Sequence, residues 1–359
     1  MTATRLEALR EALSERGLDG LLVSQPASRR YISGFTGSAG LLLILPDEAI
    51  LATDSRYTAQ ARSQAPGFRV VEATGDLARW LPPLLEGKAR ALGFESEHLT
   101  VASYRDLLKA RRKLPPDLRP RLVPVRGLVE GLRARKTAAE LEAIRRAAAL
   151  ADAAVAHLER SLRPGMSERE AAWTVERFLR ENGSEELPFP IIVASGPNAA
   201  LPHAEPSDRV IGEGEPVVVD LGARVGGYAS DLTRTLCLGT PDGTFIRVYR
   251  AVEHAQRRAL EHLRPGMKGG EADALAREVI RRAGYGQAFR HGLGHGVGLE
   301  VHEPPRLGPR SRDALEEGMV FTLEPGIYLE GWGGVRIEDM VSLGEKGASL
   351  ITRARRITL

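Results

Sequence analysis

The sequence predicts an α/β N-terminal domain followed by an α+β domain that contains an internal pseudo-two-fold repeat. Three observations lead to this fold class. Short apolar runs alternate with helical stretches over residues 4–130, which is typical of a layered α/β domain. From about residue 136 the pattern changes to one long helical segment, and the tetrapeptide RPGM then occurs twice. We therefore expect two domains, 1–130 and 136–359.

The N-terminal domain is expected to contain a β-sheet. Five apolar runs of strand length predict its strands: GLDGLLVS, SAGLLLILP, EAILATD, FRVVEA and ALGFE. A proline-rich segment, LPPDLRPRLVP at 114–124, leads to one more short apolar run. Proline cannot donate a hydrogen bond to a neighbouring strand, so this run is expected to be an edge strand near the domain boundary.

The second domain begins with the long helical pattern KTAAELEAIRRAAALADAAVAHLERSL. Thr137, followed three residues later by Glu140, forms a capping-box pattern that marks the start of a helix. Two related segments, RPGMSEREA at 163–171 and RPGMKGGEADA at 264–274, each predict the start of a further helix. The domain is therefore interpreted as a duplicated half-domain.

Each half also predicts a strand that ends in a carboxylate and a glycine, PVVVDLG with Asp220 and MVFTLEPG with Glu324. A second carboxylate follows in each half, Asp231 and Glu338, beyond the glycine-containing segments GARVGGYAS and EGWGG. If the first hairpin turns near residues 225–226, the two aspartates lie opposite each other on adjacent strands. A pseudo-two-fold axis would then bring all four carboxylates together.

Four buried carboxylates require a counter-charge, because an unpaired desolvated carboxylate is strongly destabilising. Four carboxylates and an imidazole suit two divalent ions of the Mn, Co or Zn range. The alternative is that these acids are turn or cap residues, or that Asp231 or Glu338 pairs with Arg234 or Arg336 in a surface hairpin. The matched pairs in repeated halves favour the metal site.

The segment HGLGHGVGLEVHEPP at 291–305 contains three histidines among four glycines. His291 and His295 have the i, i+4 spacing of metal ligands on a helix, but each glycine would cost a helix about 1 kcal/mol. The segment is therefore expected to be a strand or loop in which the backbone bends or comes close to other atoms, as in a crowded site. Alone, it is equally consistent with ordinary loop histidines.

Five motifs occur in the order VVVDLGA, YASDLTRT, GHGVGLEVHE, TLEPGIY and GGVRIED. This ordered set resembles the ligand motifs of the "pita-bread" metallopeptidases, the family of aminopeptidase P, prolidase and methionine aminopeptidase, over essentially all of 136–359. The resemblance implies a pita-bread catalytic domain with two divalent metal ions and five ligands, Asp220, Asp231, His295, Glu324 and Glu338. It implies that Asp231 and Glu338 bridge both ions, that Asp220 completes one ion, and that His295 and Glu324 complete the other.

The same resemblance implies residues that surround the metals. His291, His302 and His203, the last in LPHAEP, resemble histidines that line the substrate site. Glu324 is the expected proton acceptor for the attacking water. Arg336, in GGVRIED, is also counted among the site residues.

The N-terminal motifs RRYISGFTGSAG and ATDSRY resemble the domain that precedes the pita-bread fold in the Xaa-Pro enzymes. The resemblance implies a proline-containing di- or oligopeptide substrate and a homodimer, because a neighbouring N-terminal domain helps to restrict the site in that group. A dipeptidase (prolidase) is favoured, and an Xaa-Pro aminopeptidase remains the alternative. A non-catalytic peptide- or protein-binding member of the fold is a third hypothesis, which the complete ligand set disfavours.

Composition excludes several other classes. Fifty basic residues nearly balance 47 acidic residues, and no long basic run predicts binding to nucleic acid. A single cysteine, Cys237, and the lack of a signal-like or membrane-length apolar stretch predict a cytoplasmic protein without membrane association. Arginine far outnumbers lysine and amides are scarce, which fits a thermophile or a GC-rich genome.

Overall fold

The computed structural model describes residues 2–357 and divides into two compact units, with the division between residues 133 and 134. Each unit has its own sheet structure and its own buried apolar cluster. Within the described residues, no helix is both long enough and apolar enough to cross a membrane.

The N-terminal unit contains a six-stranded sheet in the order β4-β3-β2-β1-β5-β6. All five apolar runs that predicted strands form strands of this sheet: β1 (Gly20–Val23), β2 (Leu41–Ile44), β3 (Ala49–Thr53), β4 (Arg69–Glu72) and β5 (Ala91–Glu95). The expected edge strand is β6 (Arg121–Val125), which contains Pro124 and pairs on one side with β5. Its position confirms the prediction from the proline-rich segment.

Helices flank this sheet in the sequence: α1 (Thr2–Glu15), α2 (Pro26–Ser33), α3 (Thr58–Gln64), α4 (Leu77–Trp80), α5 (Pro82–Leu85), α6 (Val101–Lys113) and α7 (Leu128–Ala134). Leucines from strands and helices, among them Leu22, Leu92 and Leu107, are fully buried in one cluster. The alternating pattern of the sequence thus produces the layered α/β unit that was predicted.

In the C-terminal unit each half starts with a long helix, turns at RPGM and continues into a 14-residue helix. These helices are α8 (Ala138–Ser161), α9 (Glu168–Glu181), α10 (Gly243–His262) and α11 (Gly269–Arg282). The predicted capping box is present at the start of α8, where the Thr137 N–H donates to Glu140 Oε2 over 2.7 Å. Buried alanines and leucines of each helix pair form the cores of the two halves.

The strands of the unit form two main sheets and two short hairpins. The first half contains β7 (Ile192–Ser195), β8 (Pro216–Leu221), β9 (Arg224–Val225), β10 (Tyr228–Ala229) and β11 (Leu232–Cys237). The second half contains β12 (Gly294–Gly296), β13 (Glu303–Leu307), β14 (Val320–Leu323), β15 (Gly326–Leu329), β16 (Gly333–Arg336), β17 (Asp339–Gly344) and β18 (Gly347–Leu350). In each half a main antiparallel pair, β8 with β11 or β14 with β17, continues into a hairpin, β9–β10 or β15–β16.

The registers of the two hairpins differ from each other. Leu323 pairs with Asp339 and Gly326 with Arg336, so Glu324 and Glu338 lie opposite each other as expected. In the first half Asp220 pairs with Thr233 instead of Asp231, so the prediction of directly opposed aspartates is wrong by two residues.

The cause of this shift is the position of the turn. Val225 pairs with Tyr228, so Gly226 and Gly227 form the turn, one residue later than expected. Both have positive φ, 61° and 82°, as a two-residue type I′ hairpin requires. Moving a turn by one residue shifts the cross-strand pairing by two, which keeps Asp220 and Asp231 on the same face as diagonal neighbours.

Candidate metal centre

A pocket of about 470 Å³ lies in the C-terminal unit at the ends of the strands that carry the carboxylates. It brings together all nine residues that the sequence singled out: Asp220, Asp231, His295, Glu324, Glu338, His203, His291, His302 and Arg336. The lining also includes apolar residues, among them Phe189, Pro190, Ile192 and Val301. The pocket therefore combines charged with hydrophobic side chains.

Strand ends hold the carboxylates and the imidazole in place. Asp220 lies near the end of β8 and Asp231 directly before β11. Glu324 directly follows β14, and Glu338 directly precedes β17. His295 is the middle residue of β12, so the HGLGH segment forms a strand and loop as predicted.

Three of these residues meet in a group that could hold a metal ion. Asp231, His295 and Glu338 each place one potential ligand atom within 4.8 Å of the others. Nε2 of His295 also lies 3.3 Å from Oε1 of Glu324. Because Nδ1 of His295 donates to the Gly296 carbonyl oxygen over 3.2 Å, the ring directs Nε2 towards the carboxylates.

Burial makes the negative charges of the site costly. It raises the pKa of Asp231 well above its ordinary value, and the neighbouring carboxylates of Glu338 and Asp220 raise it further. Burial and the charges of Glu324 and Asp220 likewise raise the pKa of Glu338 well above its usual range. Both side chains are almost fully buried. The pocket is thus poised to bind positive charge.

The pair formed by Glu324 and His295 behaves differently. Burial opposes ionisation of Glu324, but the hydrogen bond with His295 and the charges of neighbouring groups, His295 first among them, together outweigh burial and lower its pKa to about 2. Burial similarly opposes the charge of His295, and Glu324 overcomes it to raise the pKa of the imidazole to about 9. Glu324 is therefore an ionised carboxylate at neutral pH.

Arg336 is a further charged group of the pocket and is 3% exposed. Its Nη2 donates to Asp220 Oδ2 over 2.8 Å, and its Nε donates to Thr233 Oγ1 over 3.0 Å. Thr233 Oγ1 in turn donates to Glu338 Oε2 over 2.6 Å. The alternative of a surface ion pair is therefore wrong: Arg336 pairs with Asp220 in the interior, and Arg234 pairs with buried Asp339.

The donor set fits divalent cations. The four predicted carboxylates and Glu205 line the pocket, and Arg336 is the one guanidinium or ammonium group among the described residues that line it. Oδ1 of Asp220 is buried and has no hydrogen-bond partner within residues 2–357. An oxygen-rich set with one imidazole is typical of divalent-metal sites, and the orphaned oxygen is an acceptor that a cation would satisfy.

A chain of hydrogen bonds fixes the protonation of His291. Arg336 Nη1 donates to Tyr328 Oη over 2.9 Å, which leaves the tyrosine proton to be donated to His291 Nε2, also over 2.9 Å. His291 Nδ1 donates to the Gly292 carbonyl oxygen over 2.8 Å. Burial lowers the pKa of His291, consistent with this neutral tautomer.

His203 and His302 lie at the exposed side of the pocket. The rings of His302 and His295 are 4.2 Å apart between centroids. Burial and the neighbouring His295 lower the pKa of His302. Both histidines thus face the space that a ligand would occupy.

The glycines of the histidine-rich segment allow neighbouring strands to pack closely around the site. A Cβ atom at Gly294 would lie 2.0 Å from the Thr322 carbonyl oxygen, and one at Gly296 would lie 2.1 Å from the Pro304 carbonyl oxygen. The expected close approach is therefore made here by neighbouring backbone. This close packing holds His295 against β14, where its N–H donates to Thr322 Oγ1.

Sequence reasoning missed three residues that orient the charged groups. Thr233 links Arg336 to Glu338, Tyr328 links Arg336 to His291, and Thr322 Oγ1 donates to Glu324 over 3.1 Å. All three lie inside the motifs YASDLTRT and TLEPGIY, two or four residues from a carboxylate. Even spacing on a strand places a residue on the same face as that carboxylate, and this signal could have identified them.

Comparison with known proteins accounts for this arrangement. Residues 142–345 match metallopeptidase family M24, and residues 5–135 match the creatinase/prolidase N-terminal domain. The Xaa-Pro dipeptidase of Pyrococcus furiosus is 36% identical over 359 residues, which span 98% of this chain and 98% of the relative.

Two solved structures are similar over nearly the whole chain. An Xaa-Pro dipeptidase from Bacillus anthracis has a TM-score of 0.94 and 41% identity, covering 100% of this chain and 99% of that one. An X-Pro aminopeptidase from Thermotoga maritima has a TM-score of 0.87 and 38% identity, covering 96% of this chain and 98% of that one. The pita-bread fold expected from the motifs is thereby confirmed. The chain therefore belongs to metallopeptidase family M24, and it is a metal-dependent hydrolase with a creatinase/prolidase-type N-terminal domain.

Proposed function

We propose that the protein is a prolidase, which hydrolyses the bond before proline in Xaa-Pro dipeptides. The observation that carries this proposal is the pocket itself, whose lining joins a carboxylate and imidazole cluster to apolar side chains. The similarity to Xaa-Pro dipeptidases from Pyrococcus furiosus and Bacillus anthracis supports the same substrate class.

The proposed metal ligands are Asp220, Asp231, His295, Glu324 and Glu338, holding two ions of the Mn, Co or Zn range. Asp231 and Glu338 are the two ligands that the family resemblance implies both ions would share, and their buried like charges need a counter-charge. Bound divalent ions supply Lewis acidity and a water that is acidic enough to react at neutral pH.

The proposed proton transfer and substrate hydrogen bonding are carried out by the protein's own side chains. Glu324 is ionised at neutral pH and is the proposed acceptor for the proton of the attacking water. His203 and His302 are proposed to hydrogen-bond with the substrate carbonyl and the leaving nitrogen. His291, held in one tautomer by Tyr328 and Gly292, keeps its place beside Glu324 with Nδ1 3.9 Å from Oε2.

The apolar residues of the lining suit the proline side of the substrate. Phe189, Pro190, Ile192 and Val301 offer no strong hydrogen-bonding side chains, and the imide before proline has no N–H to satisfy. A pocket of about 470 Å³ lies within the ordinary range of ligand sites and has room for a short peptide. The preference for a dipeptide rests on the similarity to the Xaa-Pro dipeptidases.

The alternative is an Xaa-Pro aminopeptidase that releases the N-terminal residue of longer peptides. The likeness to the Thermotoga maritima X-Pro aminopeptidase favours it. A non-catalytic binding protein is disfavoured, because the complete set of carboxylates and the imidazole would be an unexplained cost to stability.

Further proposals concern the setting of the enzyme. The domains are proposed to be 1–130 and 136–359, and the enzyme is proposed to be a cytoplasmic homodimer. Its arginine-rich, amide-poor composition agrees with a thermophilic source.

Hydrolysis of Ala-Pro and Ala-Pro-Ala by metal-stripped protein, with Mn, Co or Zn added back in turn, tests the function. Ala-Ala serves as the control without proline. Cleavage of Ala-Pro alone supports the prolidase, and cleavage of the tripeptide before proline supports the aminopeptidase. Silence towards both peptides with every metal would overturn the Xaa-Pro proposal.

A further inference from the structure

Glu168 is a completely buried carboxylate at the first position of α9. It receives six hydrogen bonds, all from the segment 195–207. Oε1 accepts from Ser195 N at 2.7 Å, Ser195 Oγ at 2.9 Å and Asn198 Nδ2 at 3.1 Å. Oε2 accepts from Asn198 Nδ2 at 3.1 Å, Ser207 N at 3.1 Å and Ser207 Oγ at 2.6 Å.

The segment held in this way forms one side of the pocket. Pro202, His203, Ala204, Glu205 and Pro206 all line it. Residues 201–206 contain no helix or strand, so their position depends on the anchors at either end. Glu168 fastens both ends and the middle of the segment, at Ser195, Ser207 and Asn198.

A second anchor lies near His203. The Pro202 carbonyl oxygen accepts from Arg336 Nη1 over 3.2 Å. The segment is therefore held at its base by Glu168 and near its tip by the arginine that also binds Asp220. Glu168 itself is not among the described residues that line the pocket.

We propose that Glu168 is a positioning residue that sets the location of His203 for the peptidase reaction, an inference that rests on the proposed function. The carboxylate acts through segment 195–207 and touches neither the substrate space nor the carboxylate cluster. Its effect on catalysis passes through His203.

The second half of the unit argues against a general role in starting the helix. Gly269 occupies the position equivalent to Glu168, directly after RPGMK, and α11 starts there without a carboxylate. The capping glutamates, by contrast, are present in both halves, as Glu170 and Glu271. The carboxylate at 168 is thus specific to the half whose loop carries His203.

Glu168→Gln is the first test. The substitution keeps the shape of the side chain but places an NH2 group against N–H and O–H donors, so part of the network must break. We expect kcat/KM for Ala-Pro to fall about tenfold, since a small misplacement of a substrate-contacting group is costly. The matched control is Glu170→Gln on the same helix, where glutamine satisfies the capping box equally well. That variant should keep wild-type kinetics.

A double-mutant cycle separates positioning from general destabilisation. In a His203→Ala background, Glu168→Gln should cause no further loss of kcat/KM, because the group it positions is gone. The thermal stability should still fall by the same amount as in the wild-type background. Equal fold-losses of kcat/KM in both backgrounds, or an unchanged kcat/KM in the single variant, would overturn the proposal.

Two additions keep the test decisive. If Glu168→Gln does not fold, Asn198→Ala instead removes one of the groups that donate to Glu168. This variant should give a smaller loss of kcat/KM, and that loss should also vanish in the His203→Ala background. Amide hydrogen exchange of residues 196–207 in metal-free protein should be faster in Glu168→Gln than in Glu170→Gln. If the wild type cleaves no Xaa-Pro peptide, the proposed function fails, while unchanged exchange would separately overturn the positioning role.

Discussion

The two halves of the C-terminal unit share a fold but differ in their electrostatics. Each ends a main strand in a carboxylate, Asp220 in the first half and Glu324 in the second. Burial raises the pKa of Asp220 even though Arg336 opposes the shift, whereas the hydrogen bond and charge of His295, with other nearby charges, together overcome burial and lower the pKa of Glu324 to about 2. Repetition of the backbone therefore does not repeat the chemistry, because the imidazole of the cluster comes from the second half.

The halves also fix their pocket loops by different means. Glu168 holds the loop with His203 through six hydrogen bonds. In the second half buried Asp273 receives the Leu293 N–H over 3.0 Å and pairs with Arg277 over 2.6 Å. Arg277 then donates to the His291 carbonyl oxygen over 2.7 Å. A buried acid on the short helix anchors a histidine-bearing segment in both halves, yet from different positions.

The largest expected effect comes from removing the carboxylates that the two metal ions are proposed to share, Asp231 of the first half and Glu338 of the second. Asp231→Ala or Glu338→Ala should abolish metal binding and lower kcat/KM by more than about a thousandfold, because metal-ion catalysis contributes several kcal/mol. Without metal, each variant should unfold at the same or a higher temperature than wild type, since repulsion between like charges is relieved. Metal content, kinetics and thermal unfolding with and without chelator measure this.

Glu278→Ala, an exposed glutamate on α11, is the matched control and should retain metal binding and turnover. Retained turnover in either Asp231→Ala or Glu338→Ala would refute the assignment of these residues as shared ligands. Loss of metal binding and turnover in only one of these two variants would show that the carboxylates of the two halves do not contribute equally.

The next largest effect concerns the two buried arginines. Arg336→Met leaves Asp220 without its ion pair, so the free energy of unfolding of the metal-free protein should fall by about 3–5 kcal/mol. We also expect a loss of about a hundredfold in kcat/KM, because Arg336 orients Asp220, Tyr328 and the Pro202 carbonyl. Urea unfolding and steady-state kinetics test both.

Arg234→Met is the comparison, since Arg234 is equally buried but pairs with Asp339, which does not line the pocket, and contacts Glu338 only at its backbone carbonyl oxygen. Asp339 keeps a second partner in Arg356 at 2.8 Å. The smaller loss of stability should therefore be accompanied by a change in kcat/KM of less than about fivefold. Equal losses of activity in the two arginine variants would contradict a specific role for Arg336.

Much of this fold follows from local sequence patterns. The apolar runs, the capping box at Thr137 and the repeated RPGM each depend on neighbouring residues, and each formed the expected element. The prediction for the register of the first hairpin is wrong because it places the turn at 225–226, where the β-branched Val225 would need a positive φ. Gly226 and Gly227 adopt the positive φ angles that the turn requires.

The residues of the site likewise divide into those that the sequence predicts and those that it does not. Its charged residues are visible in the sequence because strand-end acids recur in both halves. The partners that orient them are not, since Thr233 meets Glu338 across 105 residues and Glu168 meets Ser207 across 39. Such contacts depend on tertiary packing. The residues next to Arg336 in the sequence likewise do not show whether it is buried or lies at the surface.

A third effect, of about 3 kcal/mol in the free energy of unfolding, is the pH dependence that His295 of the second half contributes. In the metal-free protein the pKa of His295 rises from an ordinary 6.5 to about 9. The protonated imidazole therefore stabilises the folded state fully below pH 6.5, and this stabilisation is lost as the pH rises through 9. His295→Gln should remove this part of the pH dependence. Urea unfolding of metal-free protein between pH 6 and 9.5 measures the difference, and His254→Gln, on α10, should keep the wild-type slope. Identical slopes for wild type and His295→Gln would show that the pair with Glu324 does not hold the imidazolium.

The smallest expected effect tests the link from Arg336 to His291. Tyr328→Phe removes the hydroxyl that accepts from Arg336 and donates to His291, so both partners lose a buried hydrogen bond. We expect a loss of about 1–2 kcal/mol in the free energy of unfolding and of about tenfold in kcat/KM.

Tyr249→Phe makes the same deletion in the core of the second half, where the hydroxyl accepts from the Ile357 N–H over 3.2 Å. Its cost in stability should be similar, while kcat/KM should remain unchanged because no pocket residue depends on it. If the two phenylalanine variants lost activity equally, the loss would reflect stability alone. A loss confined to Tyr328→Phe would instead show that the second half controls His291 through a hydroxyl fixed by Arg336, the residue that also holds Asp220 of the first half.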